Sequence, residues 1–367
     1  MSVTPLLEEP QQTREVLDQL AGIAQNMTLE VGRWRVPVTS LDRPLWPKAR
    51  PRPATKRDLL RYLARIAPAM LPHLDGRPVF VTRWPEGVAG KSFYQKSWEN
   101  PPPFVRTVAI WTQESGVARD YLLGANLATL LWLGQQSALE LHVWFSRVTR
   151  GFDGRGLGTG YASSEQSLLE SRLNYPDFLV IDLDSYVYSG REAPGDEPEL
   201  SRRGFDAVRH VAYEVRDVLE TLELGAFVKT SGRTGLHLYV PIVRRFTFDD
   251  VRAIAQTLGE FLQTRCPDEV TLAWAVKDRT GKVFFDYNQN VRGKSLAAAY
   301  SPRRHRDATV SMPLRWDELP DAYPTDFTIF TAADLVANRG DPWGGILAAK
   351  ADLELALGPA AATAVSQ

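Results

Sequence analysis

Hydrophobic and polar residues fall in blocks along this chain, and each block predicts an element. Val16, Leu17, Leu20 and Ile23 lie at helical spacing and predict a short amphipathic helix within residues 1–26. Residues 27–53 mix short strand-like stretches with a proline-rich basic loop that begins Asp42-Arg43-Pro44-Leu45-Trp46-Pro47-Lys48. Thr55 is placed to cap a helix running from Lys56 to about Met70. Strands are predicted over 78–84, around 93–98 and over 139–145, and an apolar helix over 120–136. Glycine and serine mark 150–175 as a long surface loop, and proline, glycine and glutamate mark 188–203 as another. Helices are predicted at 204–223 and 248–265. Between them, 227–241 reads as strand, tight turn and strand, and later 283–290 reads as a strand entering a polar turn. The run Phe178-Leu179-Val180-Ile181-Asp182-Leu183-Asp184 is apolar and β-branched, as a buried strand is. No internal repeat or low-complexity tract interrupts the pattern. The mixture predicts an α/β (α+β) chain with antiparallel strands, not an alternating βαβ array.

Composition narrows the function classes. The 367 residues can form one large domain or two ordinary ones, and 44% hydrophobic content with ten tryptophans supplies a substantial core. The formal charge of −1 confines any nucleic-acid contact to local patches. Cys266 is the single cysteine, so an intrachain disulfide and a cysteine-rich zinc site are excluded, and a reducing compartment fits. No apolar run reaches the roughly 18 residues of a membrane span. The amino terminus lacks a basic start followed by an apolar stretch. A cytoplasmic address, with no membrane partner, is the expectation.

A strand alternates its faces, so Ile181 and Leu183 point one way and Asp182 and Asp184 the other. Two carboxylates side by side at the end of a core strand repel and resist desolvation. A divalent cation is the usual remedy, and this arrangement holds Mg²⁺ or Mn²⁺ for phosphoryl transfer. The plain alternative is a strand ending in solvent. Asp286 ends another apolar strand and is either a third carboxylate or an ordinary strand end. In the turn from Lys229 to His237, Gly232 and Gly235 permit a tight bend whose N–H groups face an anion, with Lys229, Ser231 and His237 as further donors. The alternative there is a hairpin with a basic rim. Arg292, Lys294, Arg303, Arg304 and Arg306 form a basic segment interleaved with Tyr300, and such runs are usually solvated faces. His142 shares a strand face with Glu140 and Trp144, where a packed histidine is the commoner finding.

Taken together, these pieces resemble one family. The carrying residues are Leu45-Trp46-Pro47, Thr55-Lys56, Arg83-Trp84-Pro85 with Gly87, Ser92-Phe93-Tyr94-Gln95-Lys96 and Glu140-Leu141-His142. Next come Asp182-Leu183-Asp184, Lys229-Thr230-Ser231-Gly232 with Gly235-Leu236-His237, and Asp286-Tyr287 with Gln289-Asn290. Ala299-Tyr300-Ser301-Pro302-Arg303 and Gly340-Asp341-Pro342-Trp343 complete the set. Over roughly residues 28–347 the chain is similar to the polymerase domain of bacterial ligase D, in the archaeo-eukaryotic primase superfamily. The resemblance implies a primase-like fold: a central antiparallel sheet, an RRM-like catalytic module at about 139–320 and a packed N-terminal module at about 28–138. Residues 1–27 would be a helical extension and 348–367 a tail. It implies that Asp182, Asp184 and Asp286 hold two divalent ions, Mn²⁺ or Mg²⁺, with Asp286 on the catalytic one. Lys229, Ser231, His237, Gln289, Arg303, Lys96 and Arg83 would contact the nucleotide, and His142 would approach the sugar 2′-hydroxyl. Phe93 and Tyr94 would stack on template bases. Lys56 and Arg43 would grip a downstream 5′-phosphate.

The sequence departs from the family pattern in places. Arg43 stands where a lysine is usual and Ser40 where an asparagine is usual, so the 5′-phosphate pocket keeps its charge but changes its geometry. Thr234 occupies a turn position that is often basic, which removes one phosphate contact. The loops at 150–175 and 188–203 are longer than the family's and either shape substrate access or are inert. No ligase motif with a nucleotidyl lysine and no histidine-rich phosphoesterase module appears, so ligation is expected from a separate DNA ligase. The expectation is a stand-alone, template-dependent polymerase that adds rNTPs or dNTPs at gaps or double-strand breaks in DNA. Ku is an expected partner, and the address is nucleoid-associated cytoplasm. A de novo primase, a non-catalytic DNA-end-binding scaffold and a metal-dependent nuclease are the alternatives.

Overall fold

The computed structural model describes residues 10–112, 115–124, 126–186 and 199–357. Of the expected elements, residues 1–9 of the N-terminal helix, 188–198 of the second loop and 358–367 of the tail lie outside these. The chain divides into two compact units. The first comprises Met1–Val143, Ala297–Met312 and Thr325–Gly344; the second comprises Trp144–Leu296, Pro313–Pro324 and Gly345–Gln367. Both are mixtures of helices and largely antiparallel sheet. Among the described residues no helix is long and apolar enough to cross a membrane.

In the first unit, strand Pro78–Arg83 is central. It pairs antiparallel with Ala138–Val143 on one side and with Val117–Leu123 and Phe93–Gln95 on the other. Val117–Leu123 pairs in turn with Arg106–Thr112. The helix Lys56–Leu74 starts where expected, because Thr55 and Asp58 form a reciprocal capping box. It runs past Met70 because Met70 and Leu74 continue its buried stripe. The N-terminal helix spans Gln11–Ala21 and buries Val16 and Leu20, whereas Ile23 lies beyond its end and is 96% exposed.

The apolar helix expected over 120–136 is two elements. Tyr121, Leu122 and Leu123 finish a strand held in register with Arg106–Thr112, and Asn126 then caps a shorter helix, Leu127–Gln135. An apolar run carries no period that separates strand from helix, and the break falls at Gly124. A Cβ there would lie 2.8 Å from the carbonyl oxygen of Leu74.

In the second unit, strand Phe178–Ser185 lies between Leu236–Pro241 and Val283–Asp286, antiparallel to both. Phe227–Thr230 and Pro313–Leu314 extend the sheet on one side, and Val270–Thr271, parallel to its neighbour, on the other. Helices Arg202–Thr221 and Phe248–Arg265 pack on the central strand through apolar stripes that include Phe205, Val208, Val215, Val251, Ala255 and Leu262. The glycine- and serine-rich stretch over 150–175 contains a helix, Glu165–Leu169, and two 3₁₀ turns rather than loop alone. Its path is set by a buried charge cluster. Asp177 meets Arg147 at 3.1 Å and Lys350 at 2.7 Å, and Arg244 and Lys350 both also reach Asp153.

Candidate active site

Sheet register brings the carboxylates together. Asp182 sits on the central strand opposite Asp286 on one neighbour and opposite His237 on the other. Gln289, one 3₁₀ turn past Asp286, donates its side-chain amide to Asp182 at 3.3 Å and to Asp286 at 3.0 Å. The turn is stitched to the same strand by Asn290, which donates to the Val180 carbonyl at 2.7 Å and accepts from the Val180 N–H at 2.9 Å. Burial raises the pKa of Asp286, against the N–H of Asn288 and the amide of Gln289. Two buried carboxylates thus converge on one point, which a neutral amide fills. A hard divalent cation prefers such a pair of oxygens and would relieve the desolvation that burdens Asp286. Asp184 stands two residues along the same face. Its carboxylate lies beside Gly235, where a Cβ would meet it at 2.9 Å and the Leu183 carbonyl oxygen at 2.1 Å. Among the described residues no three acidic, histidine or cysteine side chains already surround a common point. The donor chemistry fits a cation, and the side chains are drawn up around Gln289.

The turn after Phe227–Thr230 is built differently from the expectation. Gly232 has φ +73°, the left-handed conformation a tight turn needs. The N–H groups of Arg233 and Gly235, however, donate to the Ser231 hydroxyl, each at 3.1 Å, so these two do not face an anion. Lys229 is buried, with Nζ 2.6 Å from Nδ1 of His237. An ammonium only donates, so Nδ1 accepts and Nε2 carries the ring proton. That nitrogen lies 3.3 Å from Asp182. Lys229, His237 and Asp182 therefore form a line in which the lysine sets the tautomer that faces the carboxylate.

In the first unit, His142 Nε2 lies 3.4 Å from Glu140, and Glu140 also faces the Arg303 guanidinium at 3.5 Å and accepts the Arg304 N–H at 2.8 Å. Glu140 is buried, yet Arg303 and His142 hold its carboxyl far below the usual range against that burial. Sequence reasoning did not assign Glu140 a role, although strand alternation placed it on the face of His142. Tyr94 packs edge-on to His142 with ring centroids 6.5 Å apart. Phe93 and Tyr94 remain 49% and 53% exposed, aromatic surface of the kind on which bases stack. Lys96 hovers 6.0 Å from the Tyr94 ring. Arg83 is committed to protein acceptors: it bonds Gln95 and the backbone and side chain of Gln136, and stacks on Trp98.

Lys56 is buried at the start of its helix, with Nζ 3.2 Å from the Gln135 carbonyl. Burial, with the charge of Arg43 adding to it, lowers its pKa to about 8. Arg43 itself reaches the Pro85 carbonyl at 2.9 Å and Glu86 at 3.6 Å. Two cations held side by side, with no carboxylate bonded to both among the described residues, are arranged to accept an anion.

Residues 55–343 match the family model for the LigD primase-polymerase domain. The bifunctional non-homologous end joining protein LigD of Bacillus subtilis is 30% identical over 308 residues, covering 83% of this chain and 43% of that protein. The multifunctional LigD of Mycolicibacterium smegmatis is 30% identical over 314 residues, 86% of this chain and 36% of the relative. The chain thus spans less than half the length of these curated relatives. Among solved structures, the polymerase domain of Mycobacterium tuberculosis ligase D in complex with DNA superposes with TM-score 0.70 at 29% identity, covering 86% of this chain and 98% of that one. The fold, the ordered motifs and these matches place the chain in the LigD primase–polymerase family, a family of metal-dependent nucleotidyltransferases.

Proposed function

We propose that this protein is a template-dependent polymerase that adds rNTPs or dNTPs to a DNA 3′ end at gaps or breaks, in end joining or gap-filling repair. The observation that carries the reading is the convergence of Asp182 and Asp286 from adjacent strands, with Asp184 on the same face. These three carboxylates would hold two divalent ions, Mn²⁺ or Mg²⁺. Ions held there would supply the charge that lowers the pKa of the primer hydroxyl and neutralises the triphosphate and departing pyrophosphate. Gln289 gives up its place between Asp182 and Asp286 and turns its amide to the nucleotide. His237, its tautomer set by Lys229, would turn its one N–H from Asp182 to a phosphate oxygen, and the Ser231 hydroxyl keeps a proton to donate beside it. Glu140 orients His142 toward the sugar and Arg303 toward the nucleotide. Phe93 and Tyr94 receive template bases, and Lys56 with Arg43 receives a downstream 5′-phosphate. Ku and a DNA ligase activity are the proposed partners, in keeping with the end-joining names of the relatives.

The test is extension on a short-gapped duplex with Mn²⁺, with and without a 5′-phosphate downstream, offering rNTPs or dNTPs. Phosphate-stimulated, templated addition is expected, and substitution of His142 by alanine should narrow the difference between the two sugars. Absence of addition with any nucleotide would contradict the reading.

A further inference from the structure

The first unit holds a recess of about 250 Å³ lined by Pro47, Lys48, Val88, Arg304, His305 and Arg306. Its walls are fixed by contacts that span the chain. The Trp46 indole donates to the Arg303 carbonyl at 3.1 Å, and the Val88 N–H donates to the Leu45 carbonyl at 2.8 Å. Gly87, at φ +80°, lets those two segments close, since a Cβ would lie 2.8 Å from the Leu45 carbonyl oxygen. Residues 303–309 form a hairpin tip, Arg303 N–H to Thr309 and Ala308 N–H to His305. The acid nearest the tip, Asp307, is taken by Arg50 in a two-pronged ion pair of 3.0 and 2.9 Å, leaving Arg306 at 3.9 Å.

Lys48 and Arg304 face the recess, and among the described residues neither side chain has an ion pair or hydrogen bond. Exposed cations are usually just solvated. These differ because two rigid segments hold them around one concavity, and because the fold spends its local carboxylate on Arg50 instead. The recess falls below the roughly 300–1,000 Å³ of a pocket that encloses a whole small-molecule ligand. A phosphodiester group presents a single negative charge and needs no enclosure. The Arg304 N–H is bonded to Glu140, the residue that also faces His142 and Arg303, so the recess continues from the residues proposed to meet the nucleotide.

We propose that this recess binds a backbone phosphate of the DNA strand, through Lys48 and Arg304 with Arg306 at the rim. The identity of the strand as DNA rests on the proposed function. A nucleotide triphosphate carries the same chemistry, and the test separates the two sources. Binding of a labelled gapped duplex, without nucleotide, is followed by fluorescence anisotropy across a salt series for the wild type and for K48A/R304A. The expected result is a fall of about 1 to 2 in the slope of log affinity against log salt, with weaker binding at low salt. The control R33A/R35A removes two exposed cations elsewhere and should leave the slope in place. An unchanged slope in K48A/R304A overturns the inference, as does an equal loss in the control. A raised nucleotide KM with an unchanged slope assigns the recess to the triphosphate and overturns it too. Because binding is read without chemistry, a wild type that binds but does not extend would refute the polymerase reading while leaving this result to stand.

Discussion

Lys56 shows how much a single residue's chemistry depends on its neighbours. Its pKa of about 8 leaves it charged at neutral pH and neutral a little above. Since the unfolded value is about 10.4, the folded state binds this proton less tightly. Its burial therefore costs stability below pH 8, and that cost fades as pH rises toward the unfolded value. Such a cost is the mark of a group kept for binding. A bound phosphate draws the pKa back up, so the preference for a 5′-phosphorylated end should fall by roughly tenfold as pH rises from about 7 to above 9. Affinity for paired DNAs with and without the phosphate measures it, and Lys56→Arg should hold the preference at high pH. At this scale the carboxylates were legible, because period-two alternation alone sets the face of Asp182 and Asp184. Lys229 was less so. Its pairing with His237 depends on which residue lies across from it in the neighbouring strand, and no local pattern states a register. Likewise Ser231 reads as a phosphate donor by type, yet its oxygen lone pairs hold the turn itself.

Elements with strong end signals were legible almost to the residue. Helix Phe248–Arg265 begins at a capping box between Thr247 and Asp250, and both ends agree with the sequence pattern. Thr247→Ala should lower stability by about 1 kcal/mol, read as a shift in urea midpoint with unchanged slope. The hairpin of Arg106–Thr112 with Val117–Leu123 was hidden for the opposite reason. Its first strand buries only Ile110, and the second passes from polar residues into an apolar run that also fits a helix. Strand Phe93–Gln95 is short because it pairs only at one end of Pro78–Arg83, where Val81, Thr82 and Arg83 supply partners. That brevity leaves both aromatics facing solvent.

For the whole molecule, the class of fold was legible, whereas no local pattern states which distant segments complete each unit. Segments far apart in sequence complete each unit, as where Ala351 bonds Pro241 and Val243 beside the buried Asp177 cluster. Only tertiary structure identifies Arg244, fully buried between Asp153 and Asp177, as a clamp on that unit. Arg244→Ala should cost about 3 kcal/mol, because it strips a partner from buried carboxylates. Lys350 and Arg244 keep the pKa of Asp153 low against its burial. Its contribution is present above the unfolded value of about 3.9 and is lost as pH falls through the folded one. The stability gap between wild type and variant, measured by urea unfolding, should therefore shrink on acidification. The central claim is that Asp182, Asp184 and Asp286 carry nucleotidyl transfer. Its most direct test is incorporation of one templated nucleotide on a gapped duplex with Mn²⁺, wild type against Asp286→Asn. The asparagine keeps an oxygen for the Asn288 N–H, so the melting temperature should stay near that of the wild type. The account predicts templated addition by the wild type and a loss of roughly 10³-fold or more in the variant. Addition by the variant within a few-fold of the wild type would contradict it.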